Sequence, residues 1–294
     1  MKPLLERLKD GKPLIAEGAT GTMLLAMGLK PGECPESLNL ARPEWPEQVA
    51  RQYFEAGADI VHANTFGASP LKLALYHLED QTEAINRAGV EAVRKAVANR
   101  AYVSASLGPC GRLLKPYGDT QPEVVYASFR RQVAALIEAG VDAICFETMT
   151  DLNEAKLGVK AAKEIAPTLP VMATMTFDAT PRGFYTIMGT TIEKAAAGLQ
   201  AAGADVIGSN CGNGIVNMIE IARQFRKCST LPLIIQPNAG LPEIRDGRPV
   251  YTETPQLMVE RAKELVAIGV AIIGGCCGTT PEYIRGLREM VGKP

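Results

Sequence analysis

A short phrase recurs along the chain: EAGAD at Glu55–Asp59, EAGVD at Glu138–Asp142, AAGAD at Ala201–Asp205 and AIGVA at Ala267–Ala271. Each sets a glycine at the end of an amphipathic stretch, with an apolar run directly behind it. Glycine there can take the left-handed conformation that closes a helix, and the apolar run reads as a strand. The phrase therefore marks a helix-to-strand junction, and its repetition marks a chain built from repeated units.

Eight apolar runs fit the strand role: Pro13–Ala16, Asp59–Ala63, Tyr102–Ser106, Ala143–Phe146, Val171–Met175, Asp205–Gly208, Leu233–Gln236 and Val270–Gly274. They are near-continuous rather than alternating, which suits parallel strands buried on both faces. Helical stretches follow them at Pro46–Ala56, Thr82–Ala98, Pro122–Ala139, Asn153–Ile165, Thr191–Ala201, Ile215–Lys227, Thr254–Ile268 and Pro281–Met290. Eight β-then-α units in 294 residues predict an α/β chain folded as a single (β/α)8 TIM barrel. An open doubly wound sheet is the runner-up, and eight units rather than five or six count against it. No linker or low-complexity segment interrupts the pattern, so residues 1–294 are expected to form one domain.

With 31 basic against 32 acidic residues the net charge is -1, which gives no electrostatic reason to expect nucleic acid or an anionic membrane as partner. No apolar run approaches the roughly 18 residues that would span a bilayer. The opening MKPLLERLKDG is amphipathic and lacks the apolar core of a secretory signal. A cytoplasmic location is the expectation, and a small molecule the expected substrate. Seven cysteines are an odd and sparse set for a disulfide framework. In a reducing compartment, clustered ones are better read as metal-binding or catalytic.

Catalytic groups of a barrel belong where strands end, at the start of the βα-loops. The unusual residues fall there: Glu17-Gly18-Ala19-Thr20 after strand 1, Glu147-Thr148 after strand 4, Asn210-Cys211-Gly212 after strand 6, Pro237-Asn238-Ala239-Gly240 after strand 7 and Gly275-Cys276-Cys277-Gly278 after strand 8. Strands 6 and 8 are separated by one strand, so Cys211, Cys276 and Cys277 can converge on one rim. Adjacent cysteines hardly form a relaxed disulfide with each other but can both ligate a metal. The flanking glycines free the backbone to aim both sulfurs inward. Three thiolates with no obvious fourth Cys or His predict a catalytic zinc site at the C-terminal rim, with one exchangeable position. The competing reading is three buried, inert cysteines. A metal held by three thiolates is a poor Lewis acid toward water. It can still lower the pKa of a substrate thiol from about 8.5, which points to alkyl transfer to sulfur rather than hydrolysis. Of the remaining cysteines, Cys34 lies in a Pro/Gly loop, Cys228 ends a helix and Cys145 falls inside strand 4 as a core position, while Cys110 lies on the same rim. His62 and His77 have no metal-ligand company and read as structural or surface residues.

The segments GATGTMLLAMG (Gly18–Gly28), NTFGAS (Asn64–Ser69), FET (Phe146–Thr148), NCGNG (Asn210–Gly214), PNAG (Pro237–Gly240) and GGCCGTTPEYI (Gly274–Ile284) together resemble the homocysteine S-methyltransferase family. Within it they are most similar to the homocysteine-binding module of cobalamin-dependent methionine synthase. The resemblance covers nearly the whole chain. It implies a (β/α)8 barrel with zinc on Cys211, Cys276 and Cys277, and homocysteine sulfur as the fourth ligand. It implies that Asn238 can occupy that fourth position when substrate is absent. It also gives Glu147 the substrate's amino group and the backbone of Gly18, Ala19 and Thr20 its carboxylate. The family pattern begins Asp-Gly, and that Asp also contacts the amine; here Glu17, one methylene longer, stands in its place.

The chain ends at Pro294, so the folate, cobalamin and activation modules are not expected within it. The expectation is a zinc-dependent methyltransferase that activates L-homocysteine as a zinc thiolate and methylates it to methionine. The methyl group would come from methylcobalamin on a separate corrinoid protein. S-methylmethionine, a betaine-like donor or another acceptor thiol are alternatives. A non-catalytic zinc-thiolate subunit docking on a corrinoid protein is an alternative of a different class, and a folate-binding barrel would leave the three cysteines without a purpose.

Overall fold

A computed structural model of the chain describes residues 1–245 and 248–292, so the chain end at Pro294 lies outside the described residues. Eight strands form one parallel sheet: β1 (Leu14–Ile15), β2 (Ile60–Ala63), β3 (Tyr102–Leu107), β4 (Ala143–Met149), β5 (Val171–Met175), β6 (Val206–Asn210), β7 (Leu233–Gln236) and β8 (Ile272–Ile273). They pair in sequence order, and β8 pairs back onto β1 through Leu14↔Ile272 and Ile15↔Ile273. A single bridge, Ala16↔Ile60, joins β1 to β2. With Asp59 N–H donating to the Ile15 carbonyl at 2.7 Å, it closes the barrel. The outer helices are α1 (Glu44–Glu55), α2 (Thr82–Val97), α3 (Pro122–Glu138), α4 (Leu152–Ile165), α5 (Ile192–Ala202), α6 (Ile215–Cys228), α7 (Pro255–Ile268) and α8 (Pro281–Val291).

The repeated phrase has a structural purpose at both of its ends. Its glycines, Gly57, Gly140, Gly203 and Gly269, all adopt positive φ, between 82° and 104°, and end their helices. In the three copies that carry it, the aspartate caps the neighbouring strand at the bottom of the barrel. One carboxylate oxygen of Asp59 accepts from Ile15 N–H, of Asp142 from Val103 N–H and of Asp205 from Val171 N–H, each at 2.8 Å. A cation from an outer helix backs each one: Arg288, Arg94 and Lys163 respectively. The fourth copy has Ala271 at this place and keeps only the backbone bond that all four copies make, here from Ala271 N–H to the Leu233 carbonyl.

Buried residues form two shells. Inside the barrel, Leu14, Ile60, Tyr102, Ala143, Cys145, Met172, Val206, Ile234 and Ile272 meet, and Leu4 of the N-terminal turn closes the lower end. The larger shell lies between strands and helices. Strand alternation sorts side chains between them: Ile60 points in, while Val61 and Ala63 point out. His62 follows Ile60 inward, one layer higher.

β1 and β8 are shorter than their apolar runs. Beyond Ala16 and Ile273 the chain leaves the ladder to build the upper rim. Two antiparallel hairpins that the apolar pattern does not predict also rise there: Asp178–Thr180 with Gly183–Tyr185 after β5, and Pro242–Arg245 with Arg248–Tyr251 after β7. Among the described residues no helix is long and apolar enough to cross a membrane.

Candidate metal and substrate site

The strand ends bring the three cysteines together. The Sγ atoms of Cys211, Cys276 and Cys277 all lie within 4.8 Å of one another, with Cys211 and Cys277 at 3.8 Å. Backbone bonds fix the two loops: Cys211 N–H donates to Gln236 O at 3.2 Å, Cys276 N–H to Pro237 O at 2.8 Å, and Ala239 N–H to Cys277 O at 3.0 Å. The Thr279 hydroxyl closes the turn by donating to Cys276 O at 2.7 Å. Cys211 sits at φ 60°, a left-handed conformation that costs a non-glycine residue about 1–3 kcal/mol. That conformation turns its sulfur off the strand and toward the pair. Glycine is required at 278, where φ is +80° and a Cβ would collide with the Tyr251 ring. Tyr251, from the second hairpin, packs over the Cys277 side of the cluster.

The three sulfurs share charge. The neighbouring Cys276 and Cys277 thiols hold the Cys211 thiol well below the ordinary range, because its thiolate accepts from both. Cys276 and Cys277 are pushed up, first through their bonds to Cys211 and then by burial. Asn238 is buried beside the cluster, its side chain hydrogen-bonds to Cys211, and its Oδ1 has no hydrogen-bond partner. Three sulfurs and an orphaned buried oxygen fit the soft, four-coordinate donor set of zinc.

The cluster forms one wall of a cavity of about 300 Å³ that opens on the upper rim. Glu17, Gly18, Ala19, Thr20 and Glu147 line it as well, so the predicted site residues converge. Asn238 alone stands behind the wall. At Gly18 the backbone passes close to Tyr53 and Thr279, and a Cβ would come within 3.0 Å or less of both. The short helix Thr20–Ala26 begins at the cavity, and its N-cap residue, Ala19, has no side chain to take the first N–H groups. Among the described residues lining the cavity there is no lysine or arginine, against three carboxyl groups, Glu17, Glu36 and Glu147. His62, held well above its ordinary value by the Glu17 charge, is the one basic side chain among these lining residues.

Asn210, fully buried at the end of β6, ties this wall together. Its Oδ1 accepts from Thr148 N–H at 2.7 Å and from the Thr174 hydroxyl at 2.6 Å. Its Nδ2 donates to Thr148 Oγ1 at 2.8 Å and Glu147 Oε2 at 3.3 Å, and approaches Cys276 Sγ at 3.7 Å. The Ser106 hydroxyl donates to the other Glu147 oxygen. Burial pushes the Glu147 carboxyl up and the Glu17 charge adds to this, while His62 and the Ser106 hydroxyl pull it down. Thr148, at φ 57°, is a second strained rim residue.

Comparison with known proteins gives the family and the fold. Residues 14–291 match the homocysteine S-methyltransferase family. The chain belongs to this family. It is 32% identical to the methionine synthase of Mycobacterium leprae over 99% of its own length, and 32% identical to that of Mycobacterium tuberculosis over 95%. It spans about a quarter of the length of these relatives, 25% and 24%. The metallated form of the homocysteine methyltransferase MmuM from Escherichia coli superposes with a TM-score of 0.81 at 25% identity, covering 98% of this chain and 99% of that one. The oxidised form of MmuM gives 0.80 at 26% identity.

This homocysteine S-methyltransferase family member also has cysteines outside the cluster. Cys110 is fully buried, and its thiol is pushed up to about 12 by burial and then by Glu154, which accepts the Cys110 N–H at 2.7 Å. Cys34 is buried against Glu36 and is also pushed up to about 12, again chiefly by burial. Cys145 lies inside the barrel and Cys228 is exposed at the end of α6. None of the four joins the cluster. His77 ends a short helical turn at φ 58°. His62, which the sequence alone presents as structural, lines the cavity. A polar residue among the apolar neighbours of β2, like Asn210 on β6, was the available signal.

Proposed function

We propose that the chain binds L-homocysteine in this cavity and methylates its sulfur to give methionine, with zinc as resident cofactor on Cys211, Cys276 and Cys277. The observation that carries the reading is the convergence of three sulfurs and an acid-lined amino-acid-sized cavity at one barrel rim. Bound zinc would favour the thiolate form of a thiol at neutral pH. The residues around it bind and orient. Glu147, steadied by Ser106 and Asn210, receives the substrate ammonium. The free N–H groups of Gly18–Thr20 meet the carboxylate, which finds no lysine or arginine in this wall. Held at both ends, the substrate presents its sulfur to a methyl group for in-line attack, so catalysis rests on alignment. No general base acts in the methyl transfer.

The methyl donor is proposed to be methylcobalamin on a separate corrinoid protein, in keeping with the likeness to methionine synthases. A second reading keeps the acceptor and takes S-methylmethionine or another onium donor. Zinc-loaded protein, incubated with L-homocysteine and either methylcobalamin or S-methylmethionine, should form methionine with one of the two. No methionine from either would refute the catalytic reading and leave a thiolate-holding subunit as the better account. Residues 1–294 are proposed to act as one domain.

A further inference from the structure

The buried pair Glu17–His62 is left unused by this reading. Glu17 Oε1 lies 2.7 Å from His62 Nδ1, and Glu17 Oε2 accepts the His62 backbone N–H at 2.7 Å. Both residues line the cavity, and both are nearly solvent-free, with 3% and 5% exposure. The other ring nitrogen, Nε2, is buried and meets no nitrogen or oxygen partner, with the Cys145 thiol beside the ring. Cys145 and the two carboxylates Glu17 and Glu147 are the polar groups around the ring. Burial alone would drive the imidazole toward neutrality; the Glu17 charge overrides it and holds the ring well above its ordinary value.

Two carboxylates on one wall repel each other, and each would swing toward any passing cation. A clamp on one of them changes that. We propose that His62 is a positioning residue for the amino-acid end of the substrate: it clamps Glu17 at both oxygens, so that Glu147 is left as the direct partner of a single ammonium. The inference rests on the homocysteine reading above. It differs from that reading in giving Glu17 a partner within the protein. Glu17 then shapes the ammonium site through its fixed charge rather than by following the substrate.

A hydrogen bond to a charged group is worth about a factor of ten or more, so a Glu17 carboxylate released to the ammonium is read directly in affinity. The test is calorimetric binding to the zinc-loaded protein of two thiols, L-homocysteine and 4-mercaptobutanoate, which lacks the amino group. Wild type should prefer homocysteine. His62→Leu, which keeps bulk and loses the ring donor, frees Glu17 for the ammonium and should gain about tenfold or more in homocysteine affinity, with the amine-free thiol and the zinc content unchanged. His62→Asn sets an amide donor near the position of Nδ1 and should return most of the way to wild-type affinity. If His62→Leu does not fold, Glu17→Asp takes its place, since one methylene fewer breaks the two-point clamp, frees the carboxylate and should give the same selective gain. A wild type indifferent to the amino group would overturn the homocysteine reading and this proposal together. A wild type that discriminates, with variants that discriminate equally well, would overturn this proposal alone.

Discussion

Asn210→Ala is the sharpest single perturbation of the site wall. It deletes the acceptor of two donors, the Thr148 backbone N–H and the Thr174 hydroxyl. A buried donor left without a partner costs about 1–3 kcal/mol. Thr174 is fully buried and bears the full cost, whereas half-buried Thr148 admits some water. The sum is a loss of about 2–4 kcal/mol, which a domain of ordinary stability, about 5–15 kcal/mol, survives folded. Urea unfolding of the metal-free protein, followed by circular dichroism, measures it. A second readout is zinc affinity: Asn210 Nδ2 approaches Cys276 Sγ, and loss of a partner behind a metal ligand lowers affinity about 10–100-fold. Asn210→Asp separates the two roles of the amide. It keeps an acceptor for both donors but sets a second carboxylate against Glu147, so its deficit should shrink as pH falls, while that of alanine should not. A loss below about 1 kcal/mol for Asn210→Ala would refute the claim that this amide holds the wall.

Three further outcomes follow from the same structure. Cys276→Ser should abolish most zinc binding, measured as metal per chain after gel filtration, whereas Cys228→Ser, at the exposed end of α6, should bind one equivalent as wild type does. Glu147→Gln should raise the homocysteine KM about 10–100-fold by removing a charge-assisted bond, with zinc content unchanged; an unaltered KM would remove Glu147 from the ammonium site. Burial holds the Glu36 carboxyl above its ordinary 4.5, so the native state binds this proton more tightly than the unfolded chain. Its contribution to stability is full below pH 4.5 and is lost as pH rises through the folded value. Glu36→Gln, which keeps an acceptor for Gly67 N–H, should therefore gain in Tm relative to wild type between about pH 5 and pH 8.

The barrel was readable because its repeated parts are local. A glycine that ends a helix and an aspartate that caps the next strand lie within one five-residue phrase, and the physics that selects them acts over that distance. The cysteine cluster was readable for a related reason: strand number fixes azimuth in a barrel, so residues at the ends of strands 6 and 8 must approach each other. The two rim hairpins carry no such signal. Asp178–Tyr185 is short and largely exposed, so it has no buried face to imprint an apolar alternation on the sequence. The left-handed backbones at Thr148 and Cys211 were also hidden, since neither residue type announces a positive φ. Both are imposed by the tertiary bonds that gather on Asn210 and the Cys276–Cys277 loop.

Glu17 and His62 have to be read together. The family resemblance expects aspartate at position 17, and taken alone the extra methylene of glutamate looks like a misfit in a close cavity. In the structure that methylene carries the carboxylate from the end of β1 across to both the ring and the backbone nitrogen of β2's inward residue. An apolar side chain at 62 would offer the backbone N–H alone and leave a buried carboxylate half satisfied, at a cost of order 1–3 kcal/mol. The longer acid is thus sensible only beside the histidine. The histidine, whose Nε2 meets no nitrogen or oxygen partner in the barrel interior, is sensible only beside the acid. Position 17 by itself therefore says little about which thiol the cavity accepts. The pair does, because it decides how much negative charge remains free to meet an ammonium.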